Sequence, residues 1–337
     1  MRAALLAVWI MTARLPAQAQ NLPFSALAGW QADDHLAALT VFQNSCARLE
    51  GPIWSPICKL AATAGQSPAS ARAFFEMLFR PTLIGQPPAL FTGYFEPELK
   101  GSKTKTDRFT QPIYARPKEL VYGQQFLTRE RIEGGALRGR GLELAWIEDP
   151  VDAFFLQIQG SGRVSLPNGS VMRVGYAGRN GHAYTSIGQE LVRRGALQEN
   201  QMSAQVIRAY VQKNPIIGKD LLNVNPSYVF FREIKGLRPE DGPIGAMSLP
   251  ITAMRSIAVD PSFVPLGAPV WLEKSGANPL NRLMIAQDTG GAIKGAQRAD
   301  IFFGTGPKAG DAAGIIRDGG RMVQLLPNEY LPQGSGS

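Results

Sequence analysis

The sequence predicts a mainly β protein with some helices, on three observations. It contains 36 Gly and 25 Pro, and turn formers at this frequency favour many short strands over helical bundles. Alternating apolar residues recur from about residue 90 onward, whereas helical spacing is confined to the N-terminal part and a central segment. Hydrophobic residues make up 45% of the 337 residues, enough for a sizeable core in about two domains or one large all-β domain.

Residues 1–19 have the three zones of an export signal. Arg2 supplies a positive start, residues 3–13 form an apolar run, and LPAQA ends the segment with a helix break and a small-x-small cleavage pattern. We expect cleavage between Ala19 and Gln20, which removes two arginines and lowers the formal charge from +8 to +6. The apolar run is shorter than the about 20 residues of a spanning helix. The alternative is an ordinary buried N-terminal helix.

The two stretches with helical spacing lie before and after the first strands. From Gln20 to about Arg80, apolar residues recur at helical intervals, and Asp33-Asp34 could cap the start of the first helix. A second amphipathic helix is predicted over Ala71–Phe79 and should stop at Pro81. The first helix would present Trp30, Leu36, Leu39 and Phe42 to the core. Two central helices are predicted at Thr185–Arg194 and Gln201–Lys213, the second with Asn200 or Ser203 near its start.

Strands are predicted through most of the remaining chain. Residues 90–99 (LFTGYFEPEL) alternate until Pro97, and a short strand follows between Pro112 and Pro117. Residues 145–179 contain three predicted strands, with Pro167-Asn168-Gly169 as a hairpin turn. The last third adds PSYVFFREI, MRSIAVDP, APVWLEK, RLMIAQD and ADIFFG.

The distribution of charge and the position of the first cysteine limit which molecules the protein is expected to bind. The basic residues are scattered, which argues against a nucleic-acid-binding face and favours weak attraction to the anionic bacterial envelope. The first cysteine is Cys46, too far from the cleavage point to carry a lipid. We therefore expect a periplasmic monomer without a stable membrane anchor, with outer-membrane association left open.

The two cysteines, Cys46 and Cys58, favour a disulfide if the protein is exported. Such a short loop would contribute about 3 kcal/mol in the chain-entropy model. The alternative is a zinc site that also uses His35 and His182, the only histidines, but their spacing fits no familiar zinc pattern. No metal or cofactor is expected, and whether the cysteines are bonded stays open.

Nucleophile-based sites find little support. A Ser-His-Asp triad would need one of the two histidines, and no serine lies in a G-x-S-x-G elbow. The glycines around Ser161 are explained by a tight turn and are weak evidence for a phosphate loop. Asp288-Thr289-Gly290 has the D-T-G of aspartic proteases, but those enzymes need two such loops and the chain has one.

Carboxylates are the better candidates. Three aspartates of the last third lie at the ends of predicted strands, in segments that contain glycine or proline: Asp260, Asp288 and Asp300. Turn capping is the alternative for each and is favoured for Asp260, which precedes Pro261. Asp300 lies between Ala299 and Ile301-Phe302-Phe303, an apolar setting that would raise its pKa, as a general acid near neutral pH requires.

Six blocks follow one another between about Phe91 and Gly306: GYFEPEL, FFLQIQGSGRV, GHAYTSIGQEL, NPSYVFFRE, SIAVDPSFVPLGAPVWL and AQDTGGAIKGAQRADIFFGTG. In content and order they resemble the membrane-bound lytic murein transglycosylase A family. The last two resemble its 3D domain, named for three aspartates, here Asp260, Asp288 and Asp300. The resemblance implies a double-psi β-barrel domain from residues 20–100 and 244–337. It also implies a second, smaller β-barrel domain inserted at 101–243, with a groove between them.

The resemblance also implies a mechanism. Asp300 would be the sole general acid and base, cleaving the β-1,4 bond between N-acetylmuramic acid and N-acetylglucosamine of peptidoglycan and forming 1,6-anhydromuramoyl ends. Asp288 would assist it. The substrate-binding residues would be Tyr94, Gln157, Gln159, Ser161 and Asp260; Gln157 and Gln159 alternate on a predicted strand and would share a face. For these side chains, strand packing and turn formation are the alternative roles.

Three other functions stay open on the sequence alone. A muramidase-type hydrolase would use water in place of the sugar hydroxyl. A non-catalytic peptidoglycan-binding module could use the same groove, and a protein-binding scaffold is neither favoured nor excluded by any residue pattern.

Overall fold

The computed structural model describes residues 19–199, 203–276 and 278–330, and it mixes helices with two β-sheets. Apart from Ala19, the predicted export signal lies outside the described residues. The first sheet has nine strands in the order β1-β2-β15-β11-β12-β10-β13-β3-β14, and the second has six in the order β5-β6-β4-β7-β8-β9. Over the described ranges both sheets are open.

The strands of the first sheet come from both ends of the chain and those of the second from its middle. The first sheet comprises β1 (Ala19–Asn21), β2 (Phe79–Ile84), β3 (Leu90–Glu96), β10 (Ser256–Val259), β11 (Pro269–Lys274), β12 (Leu280–Asp288), β13 (Arg298–Thr305), β14 (Arg317–Asp318) and β15 (Gly320–Pro327). The second comprises β4 (Glu98–Ser102), β5 (Gln111–Tyr114), β6 (Glu143–Ile147), β7 (Ser161–Ser165), β8 (Val171–Arg179) and β9 (Val229–Ile234).

Nine α-helical segments accompany these strands in the described ranges. They are α1 (His35–Ser45), α2 (Trp54–Ala64), α3 (Pro68–Leu78), α4 (Arg129–Arg131), α5 (Pro150–Gln159), α6 (Ile187–Arg193), α7 (Ala204–Lys213), α8 (Pro215–Asn223) and α9 (Pro307–Gly314). The predicted start of the first helix is confirmed, because the Asp34 carboxylate accepts from the backbone N–H of Ala37. Ser203 caps α7 through the N–H of Val206.

The first sheet is covered on both faces. On β11, Trp271 belongs to a core shared with α1, α2 and α3, while Val270 and Leu272 belong to a second core on the opposite side. All three side chains are fully buried, so the strand has a continuous apolar run, as sheets with two covered faces do. Cys46 and Cys58 form a disulfide with a Cα–Cα distance of 5.6 Å and join the end of α1 to α2.

The strand predicted over FFLQIQ is wrong: these residues form α5. Asp149 caps the helix through the N–H of Val151, and Pro150 occupies the first helical position. Gly160 ends it with φ of 78°, a left-handed conformation that glycine adopts without strain. The Asp-Pro start and the glycine stop outweigh the local aromatic content, which had favoured a strand.

The predicted second helix is confirmed as α3, although Pro81 is not its boundary. Helix α3 ends at Leu78, and Pro81 lies inside β2, where its carbonyl accepts from the N–H of Leu22. Pro97 does end β3 as predicted, and the chain continues directly into β4 of the other sheet. The strand segments predicted in the last third are confirmed as β9 to β13, and the hairpin turn at 167–169 joins β7 to β8.

A buried carboxylate lies where the chain leaves the first sheet. Glu96, at the end of β3, is 1% exposed. Its Oε2 accepts from Arg163 Nε at 2.8 Å and its Oε1 from Arg173 Nη2 at 2.9 Å, both on the second sheet. Thr305 Oγ1, at the end of β13, donates to Oε2 at 2.9 Å. One carboxylate thus links both sheets.

The same two arginines bind the segment by which the chain returns. Arg163 Nη2 donates to the carbonyl of Asp241 at 3.1 Å, and Arg173 Nη1 donates to the carbonyl of Arg238 at 3.3 Å. We call Glu96, Arg163 and Arg173 the crossing cluster. It holds the outgoing and returning segments together in one buried set of hydrogen bonds.

Two properties of the described residues complete the description. No helix in these ranges has the length and hydropathy needed to cross a membrane. In the same ranges, no group of three or more His, Cys, Asp or Glu side chains could hold a metal ion. The two histidines of the zinc-site alternative make other contacts. His35 is buried against Trp30, and a ring nitrogen of His182 contacts the carbonyl of Phe126.

Candidate active site

A row of four residues in register crosses the first sheet. Asp288 on β12 pairs with Ala258 on β10, which pairs with Asp300 on β13, which pairs with Thr92 on β3. Residues in register on neighbouring strands share a face, and strands lie about 4.8 Å apart. The backbones of Asp288 and Asp300 are therefore roughly 10 Å apart, with only the Ala258 methyl group between them.

The Asp300 carboxyl is half-buried and has one defined donor. Thr92 Oγ1 donates to Asp300 Oδ1 at 2.5 Å. Burial raises the pKa of Asp300 from 3.8 to about 6, although the Thr92 hydrogen bond and the charge of Arg298 oppose the rise; the negative charge of Asp288 adds to it. A large fraction of Asp300 is thus protonated in mildly acidic solution, as a general acid requires.

Asp288 is also half-buried, but three donors hold its carboxylate. Its Oδ1 accepts from the N–H groups of Thr289 at 2.9 Å and Ala246 at 3.0 Å, and its Oδ2 accepts from Tyr94 Oη at 2.9 Å. Burial raises the pKa of Asp288, and these three hydrogen bonds work in the other direction. Asp288 is therefore a well-oriented group.

Tyr94 connects Asp288 to the apolar part of the site. Its ring packs against Phe302 at a centroid distance of 5.3 Å and contributes to a cluster with Ile251, Ala258 and Ile293. Burial, followed by the negative charge of Asp288, raises the pKa of Tyr94 well above its ordinary value. The phenol therefore stays protonated and donates to Asp288.

Asp260 is committed to the neighbouring loop. Its Oδ2 accepts from the N–H of Gly295 at 2.9 Å and its Oδ1 from the N–H of Ser262 at 3.2 Å. Burial of the side chain works against ionisation, yet these backbone donors lower the pKa of Asp260 overall. Its side chain is buried, and each of its two oxygens accepts a hydrogen bond from the loop backbone.

The two glutamines do not share a strand face, because both lie on α5. Gln157 is buried, and its Oε1 accepts from Arg129 Nη2 at 2.8 Å. Gln159 Oε1 accepts from the N–H of Phe95 at 3.0 Å. Ser161 opens β7 and is also buried.

Cavities lie between the parts of the chain that carry the two sheets. One of about 1000 Å³ adjoins the end of β13, with Phe302 and Gly304 on one side and Arg163 on the other. Another of about 590 Å³ lies behind β3, between Phe95 and α5, and includes Gln159. Phe302 lies two residues beyond Asp300 on the same strand, but neither Asp300 nor Asp288 lines either cavity.

Sequence reasoning missed three contributors to the site. Thr92 and Arg298 contact Asp300 directly or through one another, and the N–H of Ala246 holds Asp288. The alternation of Thr92 and Tyr94 on a predicted strand could have indicated a shared face. No residue-type signal could have revealed Ala246, which acts through its backbone.

The chain is similar to known proteins along most of its length. Residues 90–232 match the family described as the MltA specific insert domain, and residues 255–326 match the 3D domain. The membrane-bound lytic murein transglycosylase A of Vibrio cholerae is 38% identical over 247 residues, which cover 70% of this chain and 65% of that protein. The chain thus spans slightly less than two thirds of this curated relative.

Solved structures share the fold. A membrane-bound lytic murein transglycosylase from Agrobacterium tumefaciens superposes with a TM-score of 0.83 at 33% identity, covering 92% of this chain and 98% of that one. MltA from Escherichia coli with bound chitohexaose superposes with a TM-score of 0.74 at 28% identity, covering 93% of each chain.

Proposed function

The chain belongs to the lytic murein transglycosylase A family, and on that premise we propose that it cleaves peptidoglycan as a lytic transglycosylase. The scissile bond is the β-1,4 linkage between N-acetylmuramic acid and N-acetylglucosamine, and the product carries a 1,6-anhydromuramoyl end. The observation that carries the proposal is Asp300, a half-buried carboxyl group whose pKa is raised to about 6.

Asp300 acts twice. Its protonated form donates the proton to the glycosidic oxygen as the C1–O bond breaks and the N-acetylglucosamine leaves. The resulting carboxylate then takes the proton from the muramoyl C6 hydroxyl, whose oxygen attacks C1 and closes the anhydro ring. One carboxyl group suffices because the sugar supplies the nucleophile, whereas ordinary glycosidases use two carboxyl groups.

Asp288 supports this cycle without contacting Asp300. Its negative charge, two strands away, favours the protonated form of Asp300 before cleavage and stabilises the positive charge that develops at C1. The three donors that hold it keep that charge in a fixed position. Tyr94, Gln159 and Ser161 remain the proposed substrate contacts.

The finer organisation of the chain follows from the same family membership. We propose that the nine-stranded sheet corresponds to the family's double-psi barrel domain, which the parallel pairs β10–β12 and β3–β13 support. The second, smaller domain is inserted between the crossing segments, near Pro97 and Gly242. The disulfide and the substrate both favour a periplasmic site of action.

A hydrolase is the alternative that the geometry allows. Asp288, with its raised pKa and its position two strands from Asp300, could in principle activate a water molecule. Digestion of purified sacculi followed by mass analysis separates the two reactions, because the anhydro product lacks one water. A main product with a reducing end would contradict the transglycosylase proposal.

Asp300→Asn distinguishes an enzyme from a binding module. The variant is expected to bind sacculi like the unaltered protein while losing essentially all cleavage. Asp220→Asn, at an exposed aspartate of α8, serves as the matched change of an aspartate outside the site. An unaltered protein that binds sacculi but releases no fragments would refute the catalytic proposal.

A further inference from the structure

Arg298 lies next to the catalytic group without forming an ion pair. It is half-buried at the start of β13, and among the described residues it makes no salt bridge. Its Nη1 donates to the carbonyls of Ala299 at 2.6 Å and Leu90 at 3.2 Å, and its Nη2 donates to Thr92 Oγ1 at 2.8 Å. The guanidinium is therefore fixed at three points on β13 and β3.

The contact with Thr92 decides the direction of the threonine hydroxyl. A guanidinium offers only donors, so it occupies a lone pair of Thr92 Oγ1. The hydrogen of that hydroxyl is then directed to Asp300 Oδ1, its acceptor at 2.5 Å. A short distance of this kind is typical of a hydroxyl that donates to a carboxylate.

We propose that Arg298 is a positioning residue that acts through Thr92, committing Oδ1 of Asp300 as an acceptor and confining the exchangeable proton to Oδ2. This inference rests on the proposed function, since it assigns one oxygen of Asp300 to both proton transfers. Oδ2 gives the proton to the leaving oxygen and takes one back from the C6 hydroxyl. A fixed oxygen spares the site a carboxyl rotation between the two steps.

Few other charged groups near Asp300 influence its pKa. Asp288 on β12 is the other acid whose charge acts on it, and Tyr94 on β3 stays protonated. Strand β10 contributes only Ala258 in register. Losing either Thr92 or Arg298 therefore removes a group that favours the ionised form of Asp300, and its pKa is expected to rise.

The test compares Thr92→Val, Arg298→Met and the double variant, with Thr92→Ser as the conservative change. Arg321→Met is the control, because Arg321 is another half-buried arginine of the first sheet but pairs with Glu273. The readout is the titration of the Asp300 Cγ carbon by NMR, assigned with Asp300→Asn. Cleavage rates across pH are measured on the same samples.

Each single variant is expected to move the Asp300 midpoint upward by roughly one pH unit, the equivalent of one lost hydrogen bond. The double variant should exceed Thr92→Val by less than the full shift of Arg298→Met, since only the direct effect of the Arg298 charge does not pass through the hydroxyl. Thr92→Ser and Arg321→Met should leave the midpoint in place. At pH values below all the midpoints, the cleavage rate should fall about tenfold with little change in KM, because the carboxyl is no longer held in one orientation. The fall of the rate at higher pH should move upward with the midpoint.

Additive shifts in the double variant, or an unmoved midpoint after Arg298→Met, would overturn the inference. If Arg298→Met fails to fold, Arg298→Gln replaces it. Failure of the proposed function is distinguishable. In that case the unaltered protein releases no anhydro product, whereas the midpoints still report on Thr92 and Arg298.

Discussion

The hydroxyl of Tyr94 reaches across two strands, β13 and β10, to donate a hydrogen bond of 2.9 Å to Oδ2 of Asp288. Because Tyr94 follows Thr92 on the same face of β3, one strand places a donor on each of the two aspartates. The carboxyl groups are thus oriented by a common element.

Tyr94→Phe is expected to lower activity while the protein stays folded. The substitution removes one of three donors to Asp288, so the pKa of Asp288 rises further and its negative charge is partly lost. The cost to stability is about 1 kcal/mol, and we expect a fall of about tenfold in the cleavage rate. Tyr176→Phe, at a half-exposed tyrosine of β8, is the control. Equal rates for both variants would contradict a role for this hydrogen bond.

The cleavage rate is expected to fall as pH rises through about 6. Asp300 must be protonated to start the reaction, and its pKa is raised to about 6. Its second role uses the carboxylate made in the first step, so it needs no separate ionisation from solution. Initial rates on sacculi at fixed ionic strength test this. A rate that still increases between pH 6 and 8 would exclude Asp300 as the initial acid.

Asp300→Asn is expected to stabilise the fold at alkaline pH. The folded-state pKa lies above the ordinary value of 3.8, so stability contributed by this group is present at low pH and lost as pH rises through about 6. At pH 8 the free energy of unfolding of the variant should exceed that of the unaltered protein by on the order of 1–2 kcal/mol, allowing for partial exposure of the carboxyl. At pH 3.5 the two proteins should unfold at the same urea concentration. A constant difference across pH would argue against the raised pKa.

Glu96→Ala is expected to be strongly destabilising. It leaves Arg173 buried and Arg163 partly buried without their shared carboxylate, and breaking such a cluster costs about 3–5 kcal/mol. Glu240→Ala, which removes an exposed partner of Arg238, should cost less than about 1 kcal/mol. Urea unfolding measures both. Similar values for the two variants would show that the crossing cluster does not hold the sheets together.

Reduction of the Cys46–Cys58 disulfide is expected to lower the free energy of unfolding by about 3 kcal/mol, the chain-entropy value for a loop of this length. Cys46→Ala with Cys58→Ala should reproduce this loss and leave cleavage intact below the melting temperature, because both cysteines pack against the core of α1, α2 and α3. Lost activity in the folded double variant would contradict that separation.

Local signals predicted the strands of the first sheet better than the helices between the sheets. The aspartates at strand ends were found because alternation and turn residues mark both strand and boundary. Helix α5 was missed because its aromatic residues suit a strand equally well, and only Asp149-Pro150 and Gly160 mark its ends. Propensity alone does not separate these outcomes.

The pairing of distant strands is the part that the sequence could not supply. Thr92 meets Asp300 across 208 positions of the chain, and the register that joins them depends on a parallel pair between β3 and β13. The apolar flank of Asp300 did indicate burial. The identity of its donor and of the arginine behind that donor depends on the sheet order.

The crossing cluster has a consequence for how such a chain can change over evolution. One guanidinium, that of Arg163, contacts both the carboxylate of Glu96 and the carbonyl of Asp241, so a single side chain bridges the two ends of the intervening segment. A segment whose ends meet can be lengthened, shortened or exchanged without rerouting the host chain. The geometry therefore favours exchange of the second sheet as a unit, provided that the new segment again supplies donors to the buried Glu96 carboxylate.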